Sequence, residues 1–100
     1  MKPIVIHSKA RAELDRAIGR YERQKQGLGL DLETEVEKAA AKIQENPAFG
    51  SPYQDNDFRY ILVHRFPYVI YYAELPEFIW VVAIAHGSRK PDYWKRRKVE

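Results

Sequence analysis

The sequence predicts an α+β domain in which a helical hairpin packs on a four-stranded, mostly antiparallel sheet. Three observations predict it. Two amphipathic helical patterns are joined by a short glycine-bearing link, three strand patterns crowd the second half of the chain, and one β-branched stretch stands alone at the amino terminus. The expected order is β-α-α-β-β-β. One hundred residues suit a single domain spanning 1–100, which buries roughly 60–70% of the surface its unfolded chain exposes.

Pro3 to His7 holds an Ile-Val-Ile core, and β-branched side chains suit a pleated, half-buried surface. Ser8 follows as the expected N-cap, its hydroxyl accepting from a free helix N–H. From Ala10 the apolar positions Leu14, Ala17, Ile18 and Tyr21 recur at steps of three and four, while Arg11, Arg16, Arg20 and Arg23 take other faces. This helix should end near Gln26, before Gly27. The second pattern runs Leu32, Val36, Ala39, Ala40, Ile43, with Glu33 and Glu35 early and Lys38 and Lys42 late, the order the helix dipole favours. Asn46-Pro47 stops it, and the link through Gly27 and Gly29 makes the pair an antiparallel hairpin.

Residues 46–57, NPAFGSPYQDND, are rich in turn formers and read as a loop. Phe58 to His64, Tyr68 to Glu74 and Phe78 to Ala85 read as strands, with Pro67 and Pro76 marking tight antiparallel connections. The last two are apolar on both faces: Tyr68, Ile70 and Tyr72 alternate with Val69, Tyr71 and Ala73, and Phe78, Trp80, Val82 and Ile84 with Ile79, Val81, Ala83 and Ala85. A helix pair covers one face only. The other needs the C-terminal segment, a partner chain or a second subunit over it.

The chain has no cysteine, hence no disulfide, thiolate nucleophile or thiolate zinc ligand, which suits a reducing cytoplasm. The apolar stretch in MKPIVIHSKA is too short for a secretory leader, and no run approaches the ~20 apolar residues of a membrane span, so a soluble cytoplasmic protein is expected. There is no P-loop, dinucleotide fingerprint or Ser-His-Asp context, and His7 and His64 lie outside metal-ligand spacing. Neither a metal nor a cofactor is expected.

Net charge is +3, and its distribution is uneven: residues 1–88 carry 11 Lys+Arg against 12 Asp+Glu, residues 89–100 carry 6 against 2. A cationic end is either a solvated tail or a contact for nucleic acid or an acidic protein, and the interleaved Tyr93 and Trp94 favour a partner. His86 falls at a strand end, Gly87 permits a sharp turn, and Pro91 can open a short helical turn carrying Tyr93, Trp94 and Arg97. His86 is then either a hydrogen-bonded structural residue or a general base. Arg59 and Arg65, six apart, share a side of an unbroken strand, suiting one anion site or salt bridges to Asp55, Asp57 or Glu74. Arg89 is available to a target, or stacks on Trp94.

Two strings carry a family resemblance: Arg-(five residues)-Arg-Phe-Pro-Tyr at 59–68 and Ala-His-Gly-x-Arg-x-Pro-x-Tyr-Trp at 85–94. With the element order, they make nearly the whole chain resemble the RelE/ParE superfamily of bacterial type II toxin-antitoxin modules, closer to its ParE, or plasmid-stabilisation, branch. The resemblance implies a toxin held inactive by a co-encoded antitoxin that wraps an initially disordered segment around it, with a homodimer or a hetero-oligomer with the antitoxin as the assembly. In the ParE branch the target is DNA gyrase and the toxin is no enzyme. In the RelE branch it is a ribosome-dependent ribonuclease acting on mRNA. RelE's basic strand positions align near Tyr60, Leu62 and Val69, none of which can hold a phosphate. A reduced acid-base set of His86, Arg89 and Tyr93, with Arg59 or Arg65 as clamp, is what a ribonuclease would have here. Otherwise Arg59, Arg65, Arg89, Trp94 and Arg97 are the implied target- or phosphate-binding residues. A third reading is a degenerate toxin that retains only antitoxin binding. Placing Arg89 and Trp94 at the surface implies that alanine at either weakens toxicity with the fold intact.

Overall fold

A computed structural model describes residues 1–54 and 56–100. The elements run β1 (Ile4–Ile6), α1 (Ser8–Gln24), α2 (Leu28–Glu45), β2 (Ser51–Pro52), β3 (Phe58–Leu62), β4 (Tyr68–Glu74) and β5 (Ile79–His86). The α+β architecture is the expected one, with one strand more. The sheet has five strands in the order β1-β5-β4-β3-β2, with β1 parallel to β5 and every other pairing antiparallel.

The extra strand lies inside the expected 46–57 loop, where Ser51 and Pro52 pair with Tyr60 and Arg59. Pro52 has no N–H to give a central ladder, so the segment can only be an edge. Its position is held from the core: the Gly50 N–H donates to the buried Tyr72 hydroxyl at 2.8 Å, which donates to the Pro47 carbonyl at 2.8 Å. A Cβ at Gly50 would lie 2.5 Å from that hydroxyl oxygen, so the residue must be glycine for the loop to close on the sheet. Tyr72→Phe should therefore cost about 1–3 kcal/mol, since it strands the Gly50 N–H. Chemical denaturation checks this, and an unchanged midpoint would mean that the loop is held by other means.

Several boundaries move for identifiable reasons. His7, not Ser8, caps α1: the His7 backbone N–H completes the β1–β5 ladder on the Val81 carbonyl, and its Nδ1 accepts the Lys9 N–H at 3.0 Å. Ser8 becomes the first helical residue, and its N–H and hydroxyl both donate to the Glu100 carboxylate. The first helix ends at Gln24, two residues early, and Gly27 at φ 89 starts α2 directly. Strand β3 stops at Leu62 rather than His64, because the chain already turns there, with Arg65 at φ 72 and the Val63 N–H on the Tyr68 carbonyl.

The helices bury Leu14, Ala17, Leu32, Val36 and Ile43 against Ile70, Tyr72, Ile79, Val81 and Ile84 of the sheet. Strict alternation in β5 would have put Ile84 with Trp80 and Val82. A register shift opposite Tyr71 and Tyr72 breaks it, so Ile84 turns to the helices while Trp80, Val82 and Ala83 join the second cluster. That second face is closed by the chain itself. Trp94 is its centre, with Tyr53, Phe58 and Tyr71 packed around it.

Candidate functional site

Because β1 ends at Ile6 opposite Val81, the rest of β5 would present an open sheet edge. Two charged side chains occupy it. Glu13 of α1 accepts the Ile84 N–H at 3.1 Å, and Arg97 donates to the Val82 carbonyl at 2.9 Å. They also pair with each other through both guanidinium nitrogens, at 3.1 and 2.9 Å, and the Tyr93 hydroxyl donates to the same carboxylate. Glu13 is only 6% exposed. Burial alone would raise its pKa, but the hydrogen bonds from Arg97, Tyr93 and Ile84, with the Arg97 charge, outweigh it and hold the carboxyl below its usual range. Tyr93 moves the other way: burial first, then the bond to Glu13, pushes its phenol well above the ordinary value.

The sequence reading did not single out Glu13, although a signal was present. It lies three residues after Ala10 and four before Ala17, within the apolar stripe of α1, where a carboxylate must find partners or pay for desolvation.

The tail corrects several expectations. Trp94 is 1% exposed, with ring centroids 4.7 Å from Tyr71, 4.9 Å from Phe58 and 5.4 Å from Tyr53. It is core, not a target contact, because the sheet's second apolar face needed a large ring and the tail supplied one. Arg97 is likewise engaged inside the fold. Arg89 stacks on Tyr93, its guanidinium 4.0 Å from the ring centroid, rather than on Trp94, and lies 3.7 Å from Glu13 with its side chain 51% exposed. Residues 91–96 form consecutive turns, and the Tyr53 hydroxyl donates to Asp92, which lifts the Tyr53 phenol to about 12.

Arg59 and Arg65 are not brought together. Arg59 donates to the Gly50 carbonyl at 2.8 Å and closes the β2 loop. Arg65, beyond the end of β3, lies 3.7 Å from Asp31 of α2 and over the Phe66 ring. Of the acceptors expected for the pair, Glu74 is taken by Lys2, and Asp55 lies outside the described residues. The shared anion site required an unbroken strand, and the turn at 63–66 removes it.

His86 ends β5. Its Nδ1 accepts the Ser88 N–H at 3.0 Å, and its ring meets Tyr68 edge-on at 5.3 Å. It does not bond to Tyr93, which belongs to Glu13. Beside His86 opens a cavity of about 380 Å³, lined in part by Arg16, Arg20, Tyr68 and Arg89, with Glu13 in its wall. A second cavity of about 350 Å³ lies over β3 and β4 beside β2, among Tyr53, Tyr60, Leu62, Val69 and Tyr71, with no basic residue in its lining. Leu62 there is 67% exposed.

A family model described as the ParE toxin of the type II toxin-antitoxin system parDE matches residues 4–91. The chain belongs to the ParE toxin family. A solved structure titled chromosomal ParDE TA system from P. aeruginosa shares the fold with a TM-score of 0.75, covering 86% of this chain and 96% of that chain at 19% identity. No curated protein sequence matches. The matched span of this ParE-family chain includes Glu13, His86 and Arg89 and stops before Tyr93, Trp94 and Arg97, so the residues that close the fold lie beyond it. Among the described residues no three His, Asp or Glu groups are placed to hold a metal ion, and no helix is long and apolar enough to cross a membrane.

Proposed function

We propose that this ParE-family protein is a toxin that inhibits DNA gyrase, is neutralised in the cytoplasm by a co-encoded antitoxin and does not cleave RNA. The observation that carries the choice against a ribonuclease is the second cavity. Tyr60, Leu62 and Val69, near the positions where RelE members carry cations, line it without a basic residue. Cleavage at a phosphate needs preorganised positive charge there. The reduced set is also drawn apart: the Tyr93 hydroxyl is tied to Glu13, Arg89 stacks on the Tyr93 ring, and His86 has its Nδ1 on the Ser88 N–H and no bond to either. An apolar, partly exposed surface suits instead the binding of a protein, and both an antitoxin and gyrase are proteins.

The test pairs a gyrase supercoiling assay on the purified protein with induced expression in a bacterial host, with and without the neighbouring gene. Inhibition of supercoiling, an SOS response and intact transcripts are expected, all relieved by the neighbouring gene. Transcript cleavage without DNA damage would replace the reading with the ribonuclease, and unaffected growth with a degenerate toxin. Arg89→Ala should weaken inhibition severalfold while costing no more than about 1 kcal/mol of stability, the worth of a half-exposed cation–π contact and a loose ion pair. Full inhibition by that variant would remove Arg89 from the target contact.

A further inference from the structure

The cavity beside His86 has more cations than anions in its lining. Three guanidiniums, from Arg16, Arg20 and Arg89, meet one carboxylate in its lining, Glu13. That carboxylate is already occupied by Arg97, Tyr93 and the Ile84 N–H, with Arg89 3.7 Å away and stacked on Tyr93, so Arg16 and Arg20 are the two cations it leaves unmatched. Among the described residues Arg16 makes no ion pair, and Arg20 donates to the neutral Tyr68 hydroxyl. Arg16 and Arg20 are four apart on α1, one above the other about 6 Å along the axis, and like charges at that spacing destabilise a helix. An anion between them would offset that repulsion with two attractions. His86 adds a donor: its Nδ1 accepts the Ser88 N–H, so the neutral ring carries its proton on Nε2.

We propose that this cavity, between α1 and the sheet end where β5 finishes and β4 begins, receives a carboxylate side chain from an acidic segment of a protein partner. A guanidinium fork matches a carboxylate bidentately, and Glu13 with Arg97 shows that pairing in the adjoining wall. About 380 Å³ holds one side chain, not a duplex. A single strand of nucleic acid would need an exposed aromatic face on which to stack. The aromatic ring here, Tyr68, is 4% exposed and covered edge-on by Tyr21 and His86. The inference goes beyond the toxin reading and holds whichever target that toxin has.

The full chain, isotope-labelled, is titrated by NMR with the capped dipeptide acetyl-Glu-Glu-amide, with acetyl-Gln-Gln-amide and a ten-residue thymidine oligonucleotide as comparisons. Saturable shifts at His86, Ser88 and the Arg20 side chain are expected with the Glu dipeptide alone. The Arg16→Gln/Arg20→Gln variant should bind it about tenfold or more weakly with an unchanged melting curve, in line with the loss of charge-assisted hydrogen bonds. Arg16→Lys/Arg20→Lys, which keeps the charge and loses the fork, should fall between, and it carries the test if the glutamine variant does not fold. Equal shifts with the Gln dipeptide, no saturable shift, or full affinity in both variants overturns the proposal. Tighter binding of the oligonucleotide at the same signals also overturns it in favour of phosphate. None of these readouts involves toxicity, so failure here and failure in the gyrase assay are separate results.

Discussion

Trp94→Ala is expected to lower the stability of the domain by about 3–5 kcal/mol, the range for truncating a buried Trp or Phe. A domain of ordinary stability has about 5–15 kcal/mol in all, so the variant should be close to unfolding at 37 °C. The reason is positional. Trp94 is the ring on which Tyr53, Phe58 and Tyr71 converge, and it covers Trp80, Val82 and Ala83 on the face that the helices leave bare. Its removal opens a large void under a tail otherwise held by polar contacts, and neighbouring rings cannot close it without leaving the sheet. Urea denaturation measures the loss. A cost under about 1 kcal/mol would show that the tail does not cover the sheet in solution. Reduced toxicity in this variant would report unfolding, not a lost target contact, which is why Arg89→Ala is the better probe of the surface.

Glu13→Gln is the second large expected effect, also about 3–5 kcal/mol, because removing one member of a buried pair leaves the other uncompensated. Arg97 would keep its charge with the side chain 11% exposed, facing a neutral amide and the Val82 carbonyl instead of a carboxylate. The effect carries a pH signature. Glu13 has a folded-state pKa below its unfolded value, so its stabilisation is fully present above the unfolded value, about 4.3. It is lost as the pH falls through the lower, folded one. Asp92 and Glu100 are lowered too, through hydrogen bonds from Tyr53 and Ser8, and titrate in the same sense. The informative quantity is therefore the difference between the parent chain and Glu13→Gln across pH 2–6, which should shrink on acidification. A difference independent of pH would mean that the carboxylate's charge is not what holds the tail.

Both helices and the three long strands were legible because each buries a face whose period appears in the residues themselves. The need for a cover over the second face was legible for the same reason: Trp80 and Val82 could not remain in water. Less local features were not. Ser51 and Pro52 form a strand only because β3 offers them an edge and Tyr72 holds Gly50 in place, and neither partner is near in sequence. The shift at Val82 depends on how two strands meet, so period-two counting put Ile84 on the wrong face. Arg59 and Arg65 share a side only on an unbroken strand, and β3 ends three residues before Arg65. The tail string offers both a cover for the second face and a set of target contacts, and its composition alone does not say which residue serves which. Here Tyr93, Trp94 and Arg97 close the core, leaving Arg89 at the surface.

The open end of β5 has one more consequence. The Ile84 N–H is sheltered not by a neighbouring strand but by a carboxylate held by residues near the other end of the chain, with 84 positions separating Glu13 from Arg97. Amide exchange at Ile84 therefore reports whether the tail is seated. If the last turns detach while the sheet persists, this proton should exchange with solvent faster than those of the ladder between β4 and β5, at the free energy of local opening rather than of global unfolding. A single backbone signal thereby distinguishes a closed molecule from one whose C-terminal turns have lifted, and does so without a substitution.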